Sequence, residues 1–224
     1  MSTCYLYDNC NHKECDRFCL RKYKMDSLYT AALISESQKK RISLRVDADG
    51  TDLEQFKQLA AIENDIVNFV KEGKNLYLHS ANCGNGKSSW SIRLAQAYFN
   101  KIWARSEVKC RVLFISVPRY LLAIKDNISN RNAYAEYIKE NVLEADLVIF
   151  DDLAAKMGSE FELTHLLNII DNRISLGKSN IYTSNLNRQQ LYTALGERLT
   201  SRVANMSIDI ELRGADKRVL TNGG

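Results

Sequence analysis

Residues 75–90 read NLYLHSANCGNGKSSW, and this stretch limits the fold more than any other in the chain. Leu76, Tyr77 and Leu78 are a short apolar run of strand formers; a glycine-bearing turn follows, and helical periodicity begins behind it. The reading is strand, loop, helix. Glycines let successive backbone N–H groups converge on phosphate oxygens, and a helix start favours the same negative charge. The loop residues Cys83, Gly84, Asn85 and Gly86, with Lys87, Ser88 and Ser89 at the helix start, are therefore the candidates for holding ATP. In the G-x-x-x-x-G-K-[ST] pattern Lys87 reaches the β- and γ-phosphates and the Ser88 hydroxyl is a ligand of Mg²⁺. Counting back from Gly86, the first glycine of that pattern falls on Ala81. Alanine costs little there provided its φ stays negative. The rival reading, a lysine-bearing turn with chance glycines, does not account for the strand and helix on either side.

The 224 residues leave room for one ordinary domain and something small beside it. A hydrophobic content of 45% and a single proline exclude a largely disordered chain. No apolar run approaches the ~20 residues that span a bilayer, and the N-terminal MSTCYLYDNCNHKECDRF is too polar for a signal peptide. The expectation is a cytoplasmic protein without membrane contact. A net charge of +4 permits contact with nucleic acid without demanding it.

Four of the six cysteines, Cys4, Cys10, Cys15 and Cys19, fall within the first nineteen residues. Cytoplasmic thiols stay reduced, so this crowding predicts a tetrahedral Zn²⁺ site holding a segment too short to bury its own core. His12 is a substitute ligand. The spacing lacks the paired C-x₂-C of a common zinc ribbon, and free thiols on a helical hairpin are the alternative. A basic, helical-looking arm follows to about Lys40, and DADG at 47–50 reads as a loop. The boundary between a cysteine-rich module, residues 1–50, and the main domain, residues 51–224, is placed there.

Within the main domain, Leu53, Phe56, Leu59, Ile62, Ile66 and Phe69 recur at helical spacing from a Thr51 N-cap to a Gly73 stop. RVLFISV at 111–117 is a buried-type strand closed by Pro118. Two helical patterns over 120–145 carry Tyr120, Tyr134 and Tyr137 among basic residues, a composition that suits either stacking of single-stranded bases or a core face.

DLVIFDDL at 146–153 is a third strand with two carboxylates at its C-terminal end, where ligands bind in parallel α/β sheets. Adjacent acids repel without a cation, which assigns Asp151 to Mg²⁺ and Asp152 to orienting the attacking water. Helix capping is the alternative role for both. A helix over 160–174 leads to a strand at 180–184, after which Asn185 arrives near the attacking water and senses the γ-phosphate if that strand lies between the P-loop strand and the Asp151 strand. A helix over 188–206 contains GERLTSRV, with Arg198 and Arg202 on one face. These arginines either pair with Glu197 in solvent or supply an arginine finger to a neighbouring subunit. A strand at 207–212 completes a five-stranded sheet, and 213–224 reads as a short tail.

With GNGKSSW, LVIFDDL, YTSN and GERLTSRV in this order, the chain over about 52–220 resembles the AAA+ helicase loaders of the DnaC and DnaI type, phage-encoded ones in particular. The resemblance implies an α/β AAA+ P-loop core with a five-stranded parallel sheet between helices, preceded by the cysteine-rich module; the short stretch after the last strand leaves no room for the helical lid of many AAA+ proteins, so the expectation is a core without one. It implies Walker A at Lys87 and Ser88, Walker B at Asp151 and Asp152, sensor 1 at Asn185, and an arginine finger at Arg202 supported by Arg198. The function implied is ATP-dependent loading of a DnaB-type replicative helicase onto single-stranded DNA at replication initiation, in a bacterial host, by an ATP-dependent homo-oligomer. The chain departs from the pattern at Ala81 and at Ala154 and Ala155, where loaders usually carry a glycine, and only Arg218 is available as a sensor 2 arginine. An IstB-type transposition ATPase, a small-molecule kinase and an inert zinc adaptor are the rival functions.

Overall fold

The computed structural model describes residues 4–6, 10, 18–40, 42, 44–47, 49–155 and 159–217. Five strands, β1 (Asn75–His79), β2 (Val112–Ser116), β3 (Leu147–Asp151), β4 (Ser179–Ser184) and β5 (Ile208–Glu211), form one sheet in the order β2-β3-β4-β1-β5. Every pairing is parallel. Strands β1, β3 and β4 are buried along nearly their whole length, as expected of a parallel sheet covered on both faces. Side chains alternate across it. Tyr77, Leu113, Phe150 and Tyr182 belong to one buried cluster, and Leu76, Leu78, Ile149 and Ile181 to the other.

The nine helices among the described residues are α1 (Leu20–Ala31), α2 (Glu36–Lys39), α3 (Leu53–Asn64), α4 (Ile66–Lys71), α5 (Lys87–Ile102), α6 (Val117–Ser129), α7 (Ala133–Asn141), α8 (Glu160–Ser175) and α9 (Arg188–Thr200). Residues of α6 to α9 cover the Tyr77 face, and those of α1, α3, α4 and α5 the Leu76 face. Residues from both sides of the boundary expected after Gly50 share a cluster: Met25, Leu28 and Tyr29 of α1 are buried with Leu59 and Phe99. The Tyr29 and Phe99 rings meet edge to face at 5.1 Å, and the Phe114 N–H donates to Ala32 O at 2.9 Å.

Several element boundaries differ from the sequence reading. The single helix expected over 51–73 breaks at Asp65, whose backbone is non-helical (φ −110°, ψ 25°), and its N-cap position belongs to Asp52 rather than Thr51. Pro118 does not close β2; it sits in the first turn of α6, where its missing N–H would have had no helical partner. The helix expected over 188–206 is kinked at Gly196 (φ 75°) and ends in a π-helical turn, Ser201–Asn205. Residues 213–217 are no loose tail, because they pack against the phosphate loop.

Arg173 on α8 is fully buried and joins three segments. Its guanidinium donates to Val142 O at 2.5 Å and Ala145 O at 2.9 Å ahead of β3, and to Ser179 O and Asn180 Oδ1, both at 2.6 Å, on β4. Burial pulls its pKa down to about 10, which still leaves it charged at neutral pH. Arg173→Leu strands these acceptors in the core and is expected to cost about 2–4 kcal/mol in urea unfolding; a change below about 0.5 kcal/mol would show that the β3–β4 junction does not depend on it.

Candidate functional site

The loop between β1 and α5 is built from the conformations its sequence suggested. Gly84 and Gly86 adopt positive φ (71° and 107°), which side-chain-bearing residues reach only at a cost. Ala81 is absent from the positive-φ positions, so the departure from the glycine pattern carries no backbone penalty. Asn85 is fully buried, and its amide donates to Ser80 Oγ at 2.5 Å and to Leu212 O at 3.2 Å, fastening the loop to the end of β5. Lys87 opens α5, buried, with its ammonium 2.9 Å from Asn82 O and 3.3 Å from Asn85 Oδ1. Cys83 is exposed beside Gly84.

The acidic end of β3 faces this loop. Asp151 receives hydrogen bonds from the Ser88 and Thr183 hydroxyls, the latter at 2.7 Å. Burial raises the Asp151 pKa; the two hydroxyl bonds oppose that rise, Asp152 adds to it, and the Lys87 charge counters it. Such a carboxylate, desolvated beside a second acid and touching the Ser88 hydroxyl, suits a divalent cation. Asp152 is exposed and in the left-handed region (φ 59°), its N–H donating to Thr183 Oγ1 at 3.0 Å. Ala154 is also left-handed (φ 68°), at a cost of roughly 1–2 kcal/mol for a residue with a Cβ. This accounts physically for a glycine preference near that position.

Asn185 follows β4 directly, and β4 lies between β1 and β3, so the condition attached to its placement is met. The loop carrying it is held by Tyr77, whose hydroxyl donates to Leu186 O at 2.7 Å. Arg202 is not gathered into this site. It pairs with Asp171 on α8, rather than with Glu197, and Arg198 is exposed.

Thr183 was not singled out by motif reading, although it links both acids. Its signal was a hydroxyl directly after the apolar Ile181 and Tyr182, at the C-terminal end of the strand. A cleft of about 640 Å³ opens beside Asp152, lined by Ser116, Arg119, Asn132 and Tyr134 among others, with the Arg119 guanidinium 4.2 Å from the Tyr134 ring centre. The other two tyrosines considered for base stacking serve the fold: Tyr120 is buried and bonded to His165, and the Tyr137 hydroxyl donates to Ala31 O.

Cys15 and His12 lie outside the described residues, as does Arg218. Among the described residues no group of three or more histidines, cysteines or acids is placed to hold a metal ion. Cys19 accepts a hydrogen bond from Lys22 N at 3.4 Å as the N-cap of α1. No helix among the described residues is long and apolar enough to cross a membrane.

No protein-family model matches the chain. The replicative helicase loader DnaC of Escherichia coli (strain K12) is 26% identical over 162 residues, 71% of this chain, and the chain matches 60% of that relative's length. The crystal structure of the DnaC helicase loader superposes with a TM-score of 0.60 at 18% identity, over 83% of this chain and 98% of that one. The replication initiator DnaA bound to AMPPCP and single-stranded DNA superposes with a TM-score of 0.56 at 19% identity, over 75% of this chain and 48% of that one. The fold is that of the solved DnaC and DnaI structures, and the resemblance to DnaC holds in sequence as well.

The raised pKa of Asp151 has a direction that can be checked. A carboxyl harder to ionise when folded favours the folded state below its unfolded pKa, near 4, and that contribution is lost as pH rises through the folded value. Without added Mg²⁺, Asp151→Asn is expected to raise the melting temperature at pH 7, with the gain vanishing toward pH 4. A lower melting temperature at pH 7 would contradict this assignment.

Proposed function

We propose that this chain is an ATP-controlled loader that delivers a replicative DNA helicase to single-stranded DNA at replication initiation. The observation carrying this reading is the meeting of three parallel strand ends, with the phosphate loop after β1, Asn185 after β4 and the acid pair at the end of β3. The sequence resemblance to DnaC supports the loader over other AAA+ functions.

In this reading the loop N–H groups and Lys87 hold the phosphates, and Lys87 gives up its contact with Asn82 O to do so. Ser88 and Asp151 would hold Mg²⁺, which supplies charge neutralisation on the β- and γ-phosphates. Asp152, exposed at the cleft, orients the attacking water, and Asn185 senses the γ-phosphate. Cys83, Gly84, Asn85, Gly86 and Ser89 complete the phosphate cradle.

Arg202 acts on a neighbour's nucleotide. Helix α9 starts just after the C-terminal end of β4, and the π-helical turn that carries Arg202 leads to Met206, whose carbonyl accepts from the Asn75 side-chain amide at 3.2 Å at the start of β1, so Arg202 lies toward the opposite end of the sheet. The half-exposed pair with Asp171 is worth well under about 1 kcal/mol and is easily exchanged for a phosphate. Arg198, at the end of α9 just ahead of that turn, supports Arg202. Nucleotide state is thereby tied to self-assembly.

Residues 1–50 grip the DnaB-type helicase, and Arg119 with Tyr134 is the pair available to hold a single-stranded base and its phosphate. Zinc on Cys4, Cys10, Cys15 and Cys19 rests on their crowding in the sequence, and metal analysis of the full chain without zinc would remove it.

Two substitutions separate binding from hydrolysis. Lys87→Ala is expected to weaken binding of a fluorescent ATP analogue by about 100-fold or more. Arg202→Ala keeps that affinity within about 3-fold and lowers the ATPase rate by at least about 10-fold. Tight binding by the first variant, or an unchanged rate in the second, would remove the corresponding role.

A further inference from the structure

Residues 213–217 follow β5 and pass over the phosphate loop. The Asn82 side-chain amide donates to Arg213 O at 3.0 Å and to Gly214 O at 3.2 Å. The Lys217 N–H donates to Gly84 O at 3.0 Å. Two residues of the loop are thus tied to one short segment.

That segment is anchored by two acids of the linker ahead of α3. Asp52 is buried, in the left-handed region (φ 68°), and stands at the N-cap position of α3 without capping it. Its carboxylate instead accepts from Arg213 N and Gly214 N, both at 2.8 Å. Asp47 accepts from Ala215 N at 3.2 Å and pairs with Lys217 at 3.5 Å. The Lys217 ammonium also donates to Arg45 O and lies 4.9 Å from the centre of the Phe56 ring. A backbone held at a strained angle by a buried carboxylate that serves amides some 160 positions away is a built connection.

We propose that Arg213–Lys217 is a positioning strap for the phosphate loop, and that Asp52 and Asp47 set it. The peptide unit is planar and trans, so its C=O and N–H point in opposite directions. Holding Gly84 O toward the strap turns the Asn85 N–H away from it, to the side where the loop receives phosphate. The strap orients a phosphate donor before nucleotide arrives, lowering the ordering cost of binding. Because its anchors lie on the linker from the N-terminal region, displacement of that linker by a partner loosens the loop, and nucleotide affinity falls with it.

This inference rests on the nucleotide-binding reading, and the test keeps the two apart. A fluorescent ATP analogue is titrated against the full-length wild type, Lys217→Ala, Lys217→Pro and Asp52→Asn, with melting temperatures measured without nucleotide. Lys217→Ala keeps the amide but loses the side-chain anchors to Asp47 and Arg45 O, and is expected to weaken binding by a smaller factor than Lys217→Pro, which also removes the donor and weakens binding about 10-fold or more. Asp52→Asn replaces one of two acceptor oxygens by a donor and is expected to weaken binding likewise, by a larger factor than its melting temperature explains. Equal affinity of all four proteins overturns the strap while leaving the nucleotide site intact. Loss of affinity in strict proportion to lost stability assigns these residues to the fold alone and overturns it too. A wild type that binds no nucleotide overturns both readings.

Discussion

The arrangement depends on the insertion of β4 between β1 and β3. Hydrogen bonding on both sides of β4 fixes how far the phosphate loop stands from the acid pair. Thr183 near its end completes the join, donating its hydroxyl to Asp151 and accepting the Asp152 N–H. The site is therefore a property of strand order, and a slip of one residue in either ladder would turn Thr183 to the opposite face. The buried Arg173 guanidinium supports the same junction from the other end of the strands.

Charge near this junction is arranged for a ligand. Asp151 is desolvated next to Asp152, and Lys87 occupies a carbonyl that a phosphate would replace. A pair of acids held so close is costly to the free protein and is relieved by a cation, which is how a nucleotide with its metal can act as a conformational switch. In the proposed function, the distal placement of Arg202 would give that switch a route to a second subunit, and the linker acids Asp47 and Asp52 would give it a route to the N-terminal region.

How much of this could be read from residues alone depended on range. The phosphate loop was legible because its strand, glycines, lysine and helix are contiguous, and the β3 acids because an apolar run ends on them. Strand order is not legible in the residues alone, since the parallel pairing of β1 with β4 joins residues about a hundred positions apart and carries no local mark. Asp52 carries no local mark, and its partners at 213 and 214 cannot be seen from its neighbours. Gly196 was visible inside GERLTSRV, yet arginines spaced by four suggested an unbroken helix; the backbone takes the kink that glycine permits. Tyr120 and Tyr137 were ambiguous between base stacking and core because both uses select an aromatic ring with a polar edge.

The measurement that bears most directly on this account is helicase loading itself. A DnaB-type hexamer would be mixed with closed circular single-stranded DNA, ATP and the full-length chain, and DNA-bound helicase counted after gel filtration. The account predicts that the wild-type chain increases bound helicase and that the Lys87→Ala chain does not. Equal amounts with and without the wild-type chain, using a helicase from an organism in which the chain occurs, would contradict it.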